Sequence, residues 1–381
     1  MKKLLLAAIP MISLLPFALA AATPAAATAF GQSRWKGAIV KEGGVTVVKN
    51  PREPLYAAPI LELKEDLSIG GPAAPGDQAL DSVRSVVVDD AGTIYVLEQR
   101  ASHVKVFDAS GKCLRTIGRP GQGPGELEDP MTLSLNRAAG ELAVQQQTRG
   151  LAIFRTDGTF LRQQSLKGMI TARGRVDSRG NLYVLEIVLG DARNSYATRK
   201  LAPDGSLLAT ISETPAPAGK GNGRALRPFL PVAFFLVDRD DSLVYGYPET
   251  YEILSYGPAE AKVLRRIVRE YDPVPVRAED KAEIEKDIPP GMKIEIEYPG
   301  HHPAFTRFFL SDLGHLFVET WEKAAGGKLV HDVFDREGRF IGRAPLKSAG
   351  LEILKGKYYA LEEDEEGYSC VKRYAVTWTV K

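Results

Sequence analysis

The sequence predicts an all-β fold, a six-bladed β-propeller of four-stranded antiparallel blades whose ring is closed by an N-terminal strand. Three observations lead there. A short pattern recurs six times: Gly or Asp, any residue, then three mostly apolar residues. The copies are GTIYV at 92–96, GELAV at 140–144, GNLYV at 180–184, DSLVY at 241–245, GHLFV at 314–318 and GKYYA at 356–360. Recurrence over tens of residues marks stacked supersecondary units, none of which can bury its own apolar faces. Each copy also follows a strand-like run and a tight turn, such as DDAG at 89–92 or DSRG at 177–180, where Gly supplies the positive φ of a short hairpin. A second turn then recurs, in FDASG at 107–111, FRTDG at 154–158, LAPDG at 201–205 and FDREG at 334–338. Two turns around an apolar triplet, with a closing run after them, make four short strands per unit, which is a propeller blade. An immunoglobulin-like sandwich would not repeat its turn chemistry six times, and the rungs of a β-helix are shorter.

The elements follow in chain order. Lys2 and Lys3, an apolar run over 4–19 and the Ala18-Leu19-Ala20 site form a signal peptide at 1–20. The expected product is soluble and periplasmic or secreted. No Cys follows the run to carry a lipid anchor, and no later stretch approaches the ~20 apolar residues of a membrane span. Residues 21–35 read as a flexible tether, and 36–381 as a single propeller domain. The segments 38–50 and 60–69 are strand-like, yet they precede the first blade. The sixth unit lacks the second turn, so an N-terminal strand is expected to complete it, which removes free edges that invite aggregation.

From Gly92 the marker advances 48, 40, 61, 73 and 42 residues, ending at Gly356. Against a repeat of about 42 residues, two intervals are overlong by about 19 and 31. The excess lies at 212–231, rich in Pro, Gly and Ala, and at 271–303, which holds a charged helix candidate at 278–288 ended by Pro289 and Pro290. A smaller excess is GRPGQGPGELEDP at 118–130. All three fall between the fourth strand of one blade and the first strand of the next. Antiparallel strands alternate direction, so these joints share one face with the loops linking strands two and three, around the mouth of the central channel.

Lys plus Arg number 49 against 48 Asp plus Glu, a formal charge of +1. Such balance provides no broad basic field for nucleic acid or an anionic membrane. Cys113 and Cys370 fall on the first and last blades, which meet at ring closure. A bridge between them is conceivable, and two separate thiols are the favoured reading, because outer strands of neighbouring blades splay apart.

The 118–130 stretch resembles the signature between blades of NHL repeats. With Tyr95-Val96 and the Phe107-Asp108 turn, the chain resembles the exported bacterial six-bladed propellers of the NHL and TolB-like group, from about Leu61 to the C-terminus. The resemblance implies a six-bladed ring. It leaves function open, since such relatives include interaction scaffolds, sugar- or peptide-binding proteins and metal-dependent hydrolases or lyases.

Candidate chemistry is sparse. The glycine-rich 118–130 stretch lacks the Lys-Ser/Thr of a phosphate loop, and reads as a tight crossing with Glu126 bonded to backbone amides. His301 and His302 end the longer insertion. Adjacent side chains in an extended segment point opposite ways, so the pair is poorly built to chelate one ion; His302 is assigned packing or polar contact at the channel mouth. His315 falls in a hairpin and His331 in an outer strand. Glu98, Glu186 and Glu362 share one position beyond the triplet, a polar ring that could attract Ca²⁺ but reads as turn capping or solvated charge. Arg173 and Arg175 precede the third-blade turn, and Arg307 is the fifth-blade equivalent of Arg173. First strands line the channel, so these guanidiniums can clamp a carboxylate or a sulfated or uronic sugar; the competing use is pairing with carboxylates between blades. Trp321, Tyr247 and Tyr251, placed in strand-two-to-three loops, offer stacking faces for a sugar ring or peptide.

No Gly-x-Ser-x-Gly, His-Glu-x-x-His or Cys-x-x-Cys motif occurs. The reading is a non-enzymatic, monomeric exported propeller that binds a small ligand, glycan, peptide or protein on its decorated face. Arg173, Arg175, Arg307, Trp321, Tyr247, Tyr251 and His302 are its binding residues, with no catalytic residue, metal or cofactor. The alternative is a metal-dependent hydrolase or lyase on the same scaffold; a structural envelope component is a third.

Overall fold

The residue that opens each marker takes a left-handed backbone: φ is 84° at Gly92, 62° at Gly140, 78° at Gly180, 64° at Asp241, 82° at Gly314 and 70° at Gly356. Each sits at the corner of a tight turn, and the triplet after it becomes the second strand of a sheet. The computed structural model describes residues 34–380, except 73, 167, 191–193, 216–225, 260, 290, 292–293, 348–349 and 365. The expected signal peptide and nearly all of the tether lie outside the described residues. Trp35–Lys381 forms one unit.

Three strands precede the first blade: β1 (Ala38–Glu42), β2 (Val45–Asn50) and β3 (Leu61–Gly70). Blade 1 is β4 (Val83–Val88), β5 (Ile94–Glu98), β6 (His103–Phe107) and β7 (Cys113–Ile117). Blade 2 is β8 (Pro130–Asn136), β9 (Glu141–Gln146), β10 (Gly150–Arg155) and β11 (Phe160–Gln164). Blade 3 is β12 (Ile170–Val176), β13 (Leu182–Val188), β14 (Ser195–Leu201) and β15 (Leu207–Pro215). Blade 4 holds β16 (Phe234–Val237), β17 (Leu243–Gly246), β18 (Glu252–Tyr256) and β19 (Val263–Arg269). Blade 5 is β20 (Arg307–Leu310), β21 (Leu316–Lys323), β22 (Leu329–Phe334) and β23 (Phe340–Leu346). Blade 6 is β24 (Gly350–Leu354), β25 (Lys357–Glu363), β26 (Ser369–Trp378) and the N-terminal β3.

Ring closure is therefore as the sequence predicts. The pair of β26 with β3 is antiparallel and runs from Cys370 opposite Gly70 to Trp378 opposite Leu61. The 38–50 segment has a destination that the sequence did not indicate. β1 and β2 form a hairpin, and β2 lies parallel to β19, from Thr46 opposite Arg265 to Asn50 opposite Arg269, which widens blade 4 to six strands. Parallel pairing has no local turn to announce it. Between β2 and β3 the chain crosses blade 5, where the amides of Leu55 and Tyr56 donate to the carbonyls of Phe340 and Ile341. Asn50 pins this crossing: it donates to the Gly338 carbonyl at 3.0 Å and accepts from the Phe340 amide at 2.7 Å. The N-terminal segment is thus a belt over blades 4, 5 and 6.

The core consists of the contacts between blades. Tyr95 and Val106 of blade 1 pack with Leu133, Leu142 and Phe154 of blade 2, and Ile253 of blade 4 packs with Phe308, Val318 and Phe334 of blade 5. Each fully buried Leu or Phe stabilises the ring by roughly 1.5–3 kcal/mol. Because a blade is covered on both faces, β5 and β17 are buried at every residue, and the markers read as unbroken apolar triplets. Cys113, half-buried, and Cys370, buried, are free thiols.

The two insertions interlock. The Leu226 amide donates to the Glu295 carbonyl at 2.8 Å, the Glu297 amide returns to the Leu226 carbonyl at 3.0 Å, and Arg227 pairs with Glu297. The predicted helix is present as α1 (Ala278–Lys286). It starts where the Arg277 amide donates to Asp280 at 3.0 Å, and it ends just short of the proline pair.

Candidate functional site

First strands line the channel, which encloses a cavity of about 470 Å³. Strand register fixes which residues share a level. Ser85 lies opposite Leu97, Thr132 opposite Gln145, Arg173 opposite Leu185, Phe234 opposite Gly246 and Arg307 opposite Glu319. Every second partner is the residue after a marker triplet, so these five first-strand residues form one ring, with Arg307 equivalent to Arg173 as expected. Arg84 is the extra residue of a bulge beside Ser85. Arg175 stands two residues past Arg173 on the same strand face.

Arg84, Arg173, Arg175 and Arg307 all border the cavity. The Arg173 guanidinium lies 4.1 Å from the centre of the Phe234 ring, a cation–π contact. Its Nη1 is buried without a hydrogen-bond partner, and it makes no ion pair among the described residues. Burial, with repulsion from Arg175, Arg307 and Arg84, lowers its pKa to about 9. Burial also brings Arg175 down to about 10, and its Nη1 donates to the Gly174 carbonyl at 2.8 Å. Among the described residues only Arg307 of these four has a carboxylate, Glu319 at 3.2 Å, which Thr306 and His331 also approach. Pairing, the competing use, thus applies to Arg307 and not to Arg173.

The opposite end of the channel is different. Arg239 pairs with Asp90 at 2.8 Å, although they belong to blades 4 and 1, which face each other across a six-bladed ring. Arg137 of blade 2 pairs with Glu352 of blade 6 at 3.0 Å and approaches Asp90 at 3.5 Å. Lys355 donates to the Asp90 carbonyl at 2.6 Å. These groups sit in or next to first-to-second-strand turns, on the face away from the insertions. Sequence reading missed them because the Arg137–Glu352 and Arg239–Asp90 pairs join residues 215 and 149 apart in the chain; Arg84 and Phe234 could have been found by aligning first strands.

The other expected binding residues are placed elsewhere. His302 is buried and stacks on Trp321 at 4.1 Å and 12°, with Phe229 edge-on to both at 4.6 and 5.4 Å. The His302 Nε2 lies 3.0 Å from Asp280, which also receives Lys323 at 2.8 Å. Trp321 belongs to β21, not to a loop. Tyr251 corrects the expectation of a stacking face: it is 2% exposed, donates to Asp332 at 2.7 Å and lies under Arg269, itself 3.0 Å from Asp332. Its ring is committed to the joint between blades 4 and 5. Tyr247 is half-buried beside Tyr245 and Tyr256. No described insertion residue borders the channel cavity; the 271–303 segment lines a separate cavity of about 740 Å³ with Arg52, Arg269, Trp321 and Arg343.

The polar ring is structural and is not solvated. Glu98 and Glu362 are 3% and 4% exposed. Glu98 accepts from the Asp81 amide at 2.6 Å and from His103 at 2.8 Å, Glu186 pairs with Arg199, and Glu362 accepts from Tyr374 at 2.6 Å. Gln146, at the same position in blade 2, accepts from the Glu128 amide at 2.8 Å. In blades 1, 2, 3 and 6 the second strand is tied in this way to the third strand or to the preceding joint. In the glycine-rich stretch Glu126 accepts from the Gly123 amide at 2.7 Å. Among the described residues no three His, Cys, Asp or Glu side chains come together to hold a metal ion.

Residues 77–178, which span blades 1 and 2 and the first strand of blade 3, match the family model described as DUF5128, 6-bladed beta-propeller. None of the curated proteins matches this sequence. Among solved structures, a protein of Bacteroides fragilis NCTC 9343 described as exported is similar over 88% of this chain and 100% of its own, with 14% identity and a TM-score of 0.54. A member of the DUF4221 family from Bacteroides vulgatus ATCC 8482 covers 84% and 99%, with 12% identity and a TM-score of 0.49. Virginiamycin B lyase from Staphylococcus aureus covers 83% and 99%, with 13% identity and a TM-score of 0.43. The likeness to the first of these is one of fold alone. Among the described residues no helix is long and apolar enough to cross a membrane.

Proposed function

We propose that this chain is an exported, non-enzymatic binding propeller, and that its ligand enters the arginine-lined end of the channel with an anionic group. The N-terminal sequence with its signal-like charge, apolar run and cleavage site supports export. One observation carries the binding reading: Arg173 is held against Phe234 beside three further guanidiniums, with no carboxylate of its own. A cluster of like charges in a confined wall is unfavourable without a counter-charge, and a ligand carboxylate or sulfate supplies one through paired N–H donors. Trp321 and His302 serve this site indirectly, by holding the insertions on the same face.

Calorimetric titration of galacturonate against galactose tests the reading. The acid is expected to bind and the neutral sugar not. Arg173→Met, which keeps an unbranched side chain against Phe234, should weaken the acid at least about tenfold, since truncating one partner of a desolvated charge pair costs about 2–5 kcal/mol. Equal binding of both sugars, or an unchanged affinity in Arg173→Met, would sink it.

A further inference from the structure

The geometry points to a narrower ligand class: the channel is a blind pocket for a small dianion, a molecule with two carboxylates or sulfates, admitted only from the face that carries the insertions. This rests on the anion-site reading above and adds charge number, size and direction of approach.

Direction comes from the ion pairs at the far end. A bond of 2.8 Å between Arg239 and Asp90 joins opposite blades, so it crosses the channel axis. The Arg137–Glu352 pair at 3.0 Å links blades 2 and 6 beside it, and Lys355 reaches Asp90 from blade 6. Five charged side chains from four blades close that mouth. A chain molecule cannot be threaded through; a small molecule, or the end of a longer one, can occupy the cavity. Its volume of about 470 Å³ lies in the range of small-molecule sites.

Charge number comes from the arrangement of the guanidiniums. They project from blades 1, 3 and 5, alternate positions around a six-bladed ring. Among the described residues, only Arg307 of Arg84, Arg173, Arg175 and Arg307 meets a carboxylate, Glu319. One ligand anion cannot face three separated sources of positive charge, because each bidentate contact needs a carboxylate in the plane of its guanidinium. Two anionic groups can, one toward Arg173 and Arg175 and the other toward Arg84 or Arg307, with the linking carbons across Phe234. Chain-end uronides and free dicarboxylates share this chemistry.

The test is calorimetry with matched pairs at two salt concentrations: butyrate against glutarate, and galacturonate against digalacturonate. At least one dianion is expected to bind about tenfold more tightly than its monoanion and to lose affinity more steeply with salt. Which pair shows the gain identifies the source, a free dicarboxylate or a uronide end. Arg84→Gln, at an exposed position, should reduce that preference toward parity, while Lys355→Gln, beyond the cavity lining at the closed end, should leave affinity within about twofold. Monoanions that bind as well as dianions would overturn the dianion inference and leave the anion-site reading standing. A loss in Lys355→Gln equal to that in Arg84→Gln would overturn the assigned end. If no anion binds and Arg173→Met matches wild type, the anion-site reading itself fails.

Discussion

Arg173 shows what a binding site costs a single residue. A guanidinium that has gained a partner has a raised pKa, whereas this one is lowered to about 9, first by burial and then by Arg175, Arg307 and Arg84. The unfolded chain therefore binds more protons than the folded one between about pH 9 and the ordinary guanidinium range, and stability contributed by this residue rises with pH across that window. Below it the charge is present in both states, so the penalty is complete at pH 7. Arg173→Met is accordingly expected to raise the melting temperature at pH 7, by roughly 1–3 °C for a ring of this size. The gap to wild type should narrow at pH 10. Thermal melts at both pH values check this; a variant less stable than wild type at pH 7 would mean that the guanidinium is compensated in the free protein. That Arg173 and Arg307 are equivalent was legible from their distance to the marker. Tyr251 was not legible as a core residue, because its loop position says nothing about Asp332, eighty-one residues later in the chain.

At the scale of elements, the insertions were visible as excess length but not as a pair. Their union depends on backbone bonds between Leu226 and residues 295 and 297, and on Phe229 against the His302–Trp321 stack. Asp280 fastens α1 to this assembly. Burial works against its charge, yet Lys323, the Arg277 amide and His302 outweigh burial and hold its carboxyl far below the usual range. Its contribution is therefore complete above about pH 4, the ordinary Asp range, and fades only as the pH falls below that. Asp280→Ala is expected to loosen the 271–303 segment at neutral pH at a local cost of about 1–3 kcal/mol. Limited proteolysis should then cut within 271–303 while the melting of the ring changes little. Unaltered proteolysis would show that the aromatic stack holds the segment by itself. The helix was predictable because a Pro pair and a run of helix-forming charged residues are local signals, and its anchor was not, because Lys323 belongs to a blade.

For the whole molecule, the N-terminal belt separates two roles that look alike in sequence. β3 is the fourth strand of blade 6 and closes the ring, whereas the β1–β2 hairpin is added to a blade 4 already complete. Removal of residues up to 51 is expected to leave a folded, less stable ring; removal up to 71 should expose the edge of β26 and give aggregated protein. Circular dichroism with size-exclusion chromatography distinguishes the cases, and equal behaviour of the two truncations would refute the assignment. By itself the sequence determined the number of blades, the turn that opens each second strand, the strand that closes the ring and the first-strand positions of Arg173, Arg175 and Arg307. All of these follow from periodicity, turn chemistry and strand alternation, which act over a few residues and repeat. Tertiary structure alone decided that the hairpin covers blade 4, that the insertions lock together away from the channel, that Tyr251 is core, and that one end of the channel is closed. Those outcomes depend on groups brought together across the ring, where Coulomb attraction and packing depend on distance in space and leave no periodic trace in the chain.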